Sequence, residues 1–224
     1  MTSQGHVTPL LLALVLQLSN GVGRIPARLG SAMEPSPPPN TLSASSVLSD
    51  VIVDSQGKVR QITVREGMNP FSDATTRAVR QWNFQPAKVN NRTVESTVGV
   101  LMVYRPASFG NSAVGGATLG FTEPLPGQTD HPPLPLEISD TGYPPASTAM
   151  GVVVLELTIE RSGRLAGIRT VRDIPSLTEI ARDAVQSWKF IPAMESGQAI
   201  DGSLIVGISF VRPVVDVPLP VNTR

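Results

Sequence analysis

The chain has 224 residues, 18 basic and 18 acidic side chains and a formal net charge of zero, so electrostatics gives no reason to expect a nucleic-acid partner. With 41% hydrophobic and 16% charged residues it carries enough apolar material for a packed core, which argues against wholesale disorder. Cysteine is absent, which excludes a disulfide frame, a thiolate nucleophile and a zinc knuckle.

The N-terminal stretch "VTPLLLALVLQLSNG" (7–21) holds an apolar run of about ten residues, against the roughly 20 that a spanning helix needs. It fits the apolar region of an export signal better. No Lys or Arg precedes it, and the first small-residue cleavage candidate is Gly30-Ser31-Ala32. Residues 1–23 therefore read as a signal-like leader or short anchor, with a misplaced start or an ordinary buried segment as alternatives. A Pro/Ser-rich linker over 24–43 follows, with Pro37, Pro38 and Pro39 favouring an extended spacer.

Residues 44–106 are patterned. "VLSDVIV" reads as a strand, "DSQGK" as a turn and "VRQITVRE" as the returning strand. Asn69-Pro70 opens a helix whose apolar stripe is Phe71, Ala74, Ala78, Val79 and Trp82. "WNFQPA" ends that helix, Pro86 forbidding continuation, and "VESTVGVLMVY" is a last strand. Residues 107–139 read as a second linker without regular structure, Gly/Ser/Ala-rich and then proline-rich.

Residues 140–213 repeat the first block at a fixed offset of 106 without a gap. Gly57 meets Gly163, Ile62 meets Ile168, and Ala78-Val79 meets Ala184-Val185. Trp82, Phe84, Pro86 and Ala87 meet Trp188, Phe190, Pro192 and Ala193. In "GVVVLELTIE", Val153, Leu155, Leu157 and Ile159 share one strand face. "LAGIRTVRD" returns. In "SLTEIARDAVQSW", Ser176 and Glu179 form a capping-box pattern, and Leu177, Ile180, Ala181, Ala184, Val185 and Trp188 fall on one stripe. "SLIVGISFVR" is the last strand, and 214–224 is a tail. The expected fold is α+β: two tandem β-β-α-β modules, each a three-stranded antiparallel-type sheet with one helix on one face. The second module, apolar along one full face of its first strand, is expected to be the more stable. The first interrupts that strand with Ser49 and Asp50.

The motifs resemble the TonB C-terminal domain family. The residues that carry the resemblance are the acidic-x-x-Gly-basic turns Asp54–Lys58 and Glu160–Arg164, the Ala-Val helices, the two Trp-x-Phe-x-Pro-Ala corners, Tyr143-Pro144 before the first strand of copy two, and last strands ending in Tyr104 and Phe210. Gly57, Trp82, Phe84, Pro86, Gly163, Trp188, Phe190 and Pro192 are its structural signature. Copy one departs from the pattern: it lacks the Tyr-Pro lead and has Asn91-Arg92 where copy two keeps Gly197.

The resemblance implies an envelope protein of the periplasm, or an inner-membrane-associated one facing it, with TonB-dependent outer-membrane transporters as partners. It implies that a transporter segment adds as a strand beside the last strand. In copy two that strand contains Leu204, Val206, Gly207 and Ile208; it carries no charge or proline between Ser203 and Val211, and so lacks the usual guards against strand addition. Membrane association would run only through an uncleaved N-terminal segment. The alternative is a scaffold whose sheet edges pair with each other in cis, or in a homodimer. No catalytic residue, metal site or cofactor is expected. The only histidines, His6 and His131, fall in the leader and the second linker, and no serine has a partner histidine nearby.

Overall fold

A computed structural model describes residues 24–35, 44–105, 119–120, 129–139, 141–144 and 147–211. The leader, the Pro37–Pro39 run and the tail lie outside the described residues. The first repeat contains β1 (Arg24–Ile25), β2 (Arg28–Ser31), β3 (Ser45–Val53), β4 (Val59–Glu66), α1 (Phe71–Val79), β5 (Asn83–Gln85), β6 (Ala87–Val89), β7 (Arg92–Val94) and β8 (Ser96–Tyr104). After β9 (Leu119–Gly120), the second contains β10 (Leu134–Ile138), β11 (Gly151–Ile159), β12 (Leu165–Arg172), α2 (Pro175–Gln186), β13 (Lys189–Ile191), β14 (Ala193–Glu195), β15 (Gln198–Ile200) and β16 (Gly202–Phe210). The α+β class holds. Two separate three-stranded sheets do not: the long strands form one six-stranded sheet in the order β12-β11-β16-β8-β3-β4.

The junction is the pair β8–β16, the two last strands, which run parallel and pair from Gly99↔Leu204 to Tyr104↔Ser209. Every other pairing in this sheet is antiparallel. The paired residues differ by 105, one less than the repeat offset. Residues side by side in a sheet point to the same face, and successive residues alternate. The one-residue slide therefore sends equivalent residues of the two repeats to opposite faces. Val100 belongs to the core under α1, and its equivalent Val206 to the core under α2. The repeats are thus related by a half-turn about the strand direction plus a slide of about 3.3 Å, and their helices cover opposite faces.

Both cores cross the junction. The α2 core joins Leu155, Leu157, Leu204 and Val206 to Leu48 and Leu101 of repeat one. The α1 core joins Val47, Val51, Val100 and Met102 to Val152, Val154 and Ile205 of repeat two. Each helix carries the stripe its sequence predicts: Phe71, Ala74, Ala78 and Val79 in α1, and Leu177, Ala181 and Val185 in α2, are buried. The cap of α2 differs from expectation. Pro175 takes the first helical position, where its missing N–H costs nothing, and this moves the helix start two residues earlier than a Ser176 cap would put it. Thr178 Oγ1, not Ser176, then accepts the Ile174 N–H at 2.9 Å and donates to the Ile174 carbonyl at 3.1 Å.

The linkers also differ from expectation: Leu119–Gly120 pairs with β10, and 24–35 and 129–139 are extended straps that belong to the repeats. Arg28, Leu29 and Ser31 pair with Gln85, Phe84 and Asn83. Leu134, Pro135 and Glu137 pair with Ile191, Phe190 and Lys189, each 106 residues further on and with the bulge at the same place. Ile25 faces Lys88, and His131 faces Met194. Trp82 Nε1 donates to the Met33 carbonyl at 2.8 Å, and Trp188 Nε1 to the Ser139 carbonyl at 3.1 Å. Each tryptophan therefore fills a core and clamps a strap.

Because the two cores are shared, the chain is expected to unfold in a single transition in urea, with circular dichroism and tryptophan fluorescence coincident. Two separated transitions would mean that the repeats are energetically independent.

Candidate partner-binding site

Leu204, Val206, Gly207 and Ile208 lie in β16, the expected edge strand. The strand is interior. β11 pairs along one side from Gly151↔Phe210 to Ile159↔Gly202, and β8 along the other. Leu204, Val206 and Ile208 are 0% exposed. The missing guards have a different cause from the one expected: a strand covered on both faces needs a continuous apolar run, and an interior strand needs no defence against strand addition. Gly207 makes room for a neighbouring side chain, since a Cβ there would come within 2.3 Å of Met102 Sδ.

The outer edges of the sheet, β4 and β12, do carry guards. Both pairings are broken by bulges, at Leu48/Ser49 and Ile52/Val53 and at Val154/Leu155 and Thr158/Ile159. Both strands also place arginines toward the sheet, Arg65 on β4 and Arg169 on β12. Inward charge and bulges are devices that blunt an edge.

The signature residues converge at the corners. Gly57 has φ +83° and Gly163 φ +81°. The Gly57 carbonyl accepts the Phe84 N–H at 2.9 Å. A Cβ on Gly57 would lie 1.9 Å from the Phe84 carbonyl oxygen, and on Gly163 2.7 Å from that of Phe190. Pro86 and Pro192 flank the same contacts. The hairpin turn and the Trp-x-Phe-x-Pro-Ala corner thus fit only with glycine in the turn, which is why the two motifs occur together. Asp54 braces the first turn by accepting the Lys58 N–H at 2.9 Å and the Gln56 N–H at 2.8 Å. The Lys58 N–H above all holds its carboxyl below the usual carboxylate range. Tyr104 meets Thr75 Oγ1 at 2.9 Å under α1, and burial pushes its phenol up. At the β6–β7 turn, Asn91 takes the left-handed conformation (φ 64°) that Gly197 takes in repeat two (φ 73°), as asparagine can.

Two acidic side chains have roles that the sequence alone does not show. Asp50 does not spoil its strand, because it pairs with Arg65 at 2.6 Å. Its equivalent in repeat two is Glu156, 3% exposed, held by Arg169 and, at 3.8 Å, by Arg28 of the strap. The signal was the alternation Val152-Val154-Glu156 on the face opposite Val153-Leu155-Leu157. At one end of the parallel pair, a cleft of about 230 Å³ lies on the pseudo-symmetry axis, bordered by Pro26 and Pro132, Ala87 and Ala193, and Glu95 and Asp201. Its acids are spoken for: Asp201 accepts the Arg161 N–H, Asp130 accepts the Ser196 N–H, and Glu95 pairs with Arg60. Among the described residues no cluster suited to a metal ion occurs, and no helix is long and apolar enough to cross a membrane.

A protein-family model, that of the Gram-negative bacterial TonB protein C-terminal, matches residues 44–106 and 143–211, more than half of the chain. The chain belongs to this family. Each matched segment covers one repeat from its first long strand to its last, and the straps lie outside both. No curated protein and no solved structure matches the chain. The family's domain is a non-enzymatic energy-transduction and protein-interaction domain, and membership implies a TonB-like envelope protein associated with TonB-dependent transport.

The Glu156 cluster gives a test. Arg169→Met leaves a buried carboxylate with only a distant partner and is expected to cost about 3 kcal/mol in urea denaturation. Arg28→Met, at a side chain 55% exposed, should cost well under that.

Proposed function

We propose that this chain is a periplasmic TonB-like scaffold whose two repeats close on each other in cis, serving TonB-dependent transport without offering its last strand to a transporter segment. The observation that carries this reading is the β8–β16 pair. The last strand of each repeat already has the other as its neighbour, so the backbone groups a partner strand would use are satisfied. Both outer edges are guarded, and a homodimer through β4 or β12 would have to overcome their bulges and inward arginines. Partners are outer-membrane transporters or the proteins that work with them, engaged through surfaces other than β16.

A second reading has its own support. β16 is free of charge and proline from Ser203 to Phe210, so a transporter segment that displaced β8 would find a receptive strand at Leu204, Val206, Gly207 and Ile208. The chain contains no native cysteine, so an engineered pair can separate the readings. Val103→Cys with Ile208→Cys places two thiols on paired positions of the junction. Peptides from transporter plug segments are titrated against the oxidised and the reduced protein. The scaffold reading expects no binding that depends on reducing the junction. Binding to the reduced form alone supports displacement of β8. Binding to both forms would put the site elsewhere.

A further inference from the structure

The strap of repeat one has the contacts of a bound peptide, and its chemistry differs from that of its counterpart. It adds to the corner strand β5 by backbone pairing, buries Ala27 and Leu29 at 2% and 1% exposure, and is clamped by Trp82. Beyond the core that Ala27 and Leu29 share with Val152, Val154 and Ile205, it reaches across to repeat two through charge. Arg169 donates to the Leu29 carbonyl at 2.6 Å, and Arg28 faces Glu156. Glu34 accepts the Val152 N–H at 2.9 Å and pairs with Arg172. Arg24 pairs with Glu195. The counterpart strap, 129–139, meets repeat one with the Pro132 side chain and the Pro133 carbonyl over Gly99, and with Leu134 and Ile138 in the core that takes in Leu48 and Leu101. One strap is latched by exposed and half-buried ion pairs, which salt and charge substitution weaken. The other is held by apolar contact, which they do not.

We infer that the corner of repeat one, together with the Glu156–Arg169–Arg172 face of repeat two, is a strand-addition groove filled in cis by the chain's own residues 24–35 and open to exchange. The groove selects an extended segment of the form Arg-Leu-x-x-x-x-Glu. The arginine answers Glu156, the leucine fills the α1 core, and the glutamate answers Arg172 and the Val152 N–H. The specificity is electrostatic and the affinity comes from backbone pairing. This inference does not depend on whether a transporter segment reaches β16, because the two sites use different strands.

The test uses the full chain, amide hydrogen exchange and a synthetic peptide of residues 24–35. In 1 M NaCl, the hydrogen-bonded amides among residues 28–31 should exchange at least tenfold faster than at low salt, while those of Leu134 and residues 136–138 and those of β16 hold their rates. Glu34→Arg should give the same local acceleration at low salt. That variant should bind the free peptide at micromolar concentration, whereas the wild-type chain, its groove filled, should bind it at least tenfold more weakly. Glu34→Gln repeats the measurement with a milder change should Glu34→Arg fold poorly. Amides 28–31 that exchange only together with β16 under every condition, or a peptide that fails to bind a folded Glu34 variant, would overturn the groove.

Discussion

The architecture depends on one register: β8 and β16 run parallel with a one-residue slide. Without the slide, equivalent residues would have to share a face, and a half-turn between the repeats does not allow that. With it, each repeat turns its helix-covered face one way and lends its other face to the neighbour's core. Val152, Val154 and Ile205 complete the core under α1, and Leu48 and Leu101 complete the core under α2. A three-stranded sheet with one helix leaves half its apolar surface in water. The junction removes that surface for both repeats at once, and this accounts for β11 and β16 being buried on both faces.

The local elements were legible in the sequence because each is written in short-range chemistry. Period two marks β11, the 3.6 period marks both helices, and turn glycines and Pro86 or Pro192 punctuate them. The junction was harder to read. An uncharged, proline-free strand suits an unguarded edge and a doubly covered interior equally well by the absence of guards alone. What distinguishes them is apolar content at both parities, Ile205 as well as Leu204, Val206 and Ile208, and that marks the interior. The straps were illegible for another reason. Their pairing is made by backbone groups, which almost any sequence supplies, and between them only Pro26 and Pro132 keep the repeat offset as an identity.

The hexapeptide written twice has a fuller role than helix termination. Its tryptophan spans a core and a strap carbonyl, its phenylalanine backbone receives both the turn glycine and the strap, and its proline packs by the glycine. One corner therefore fixes the hairpin, the helix end and the lead strand of each repeat. The family match begins after the straps, so the duplicated unit of this chain is longer than the shared domain. The added part helps tie one repeat to the back of the other, through shared apolar core on both sides and added ion pairs on one.

The account stands on β16 being an interior strand, and residue-resolved amide hydrogen exchange along 203–210 tests that most directly. An interior strand has every backbone N–H bonded, so consecutive amides should all be protected to the level of global unfolding. An edge strand bonds only alternate amides on its inner side. Uniform, maximal protection from Leu204 to Ser209 is the predicted result. A two-residue alternation of slow and fast exchange across the same stretch would contradict the joined sheet and return the last strand to an open edge.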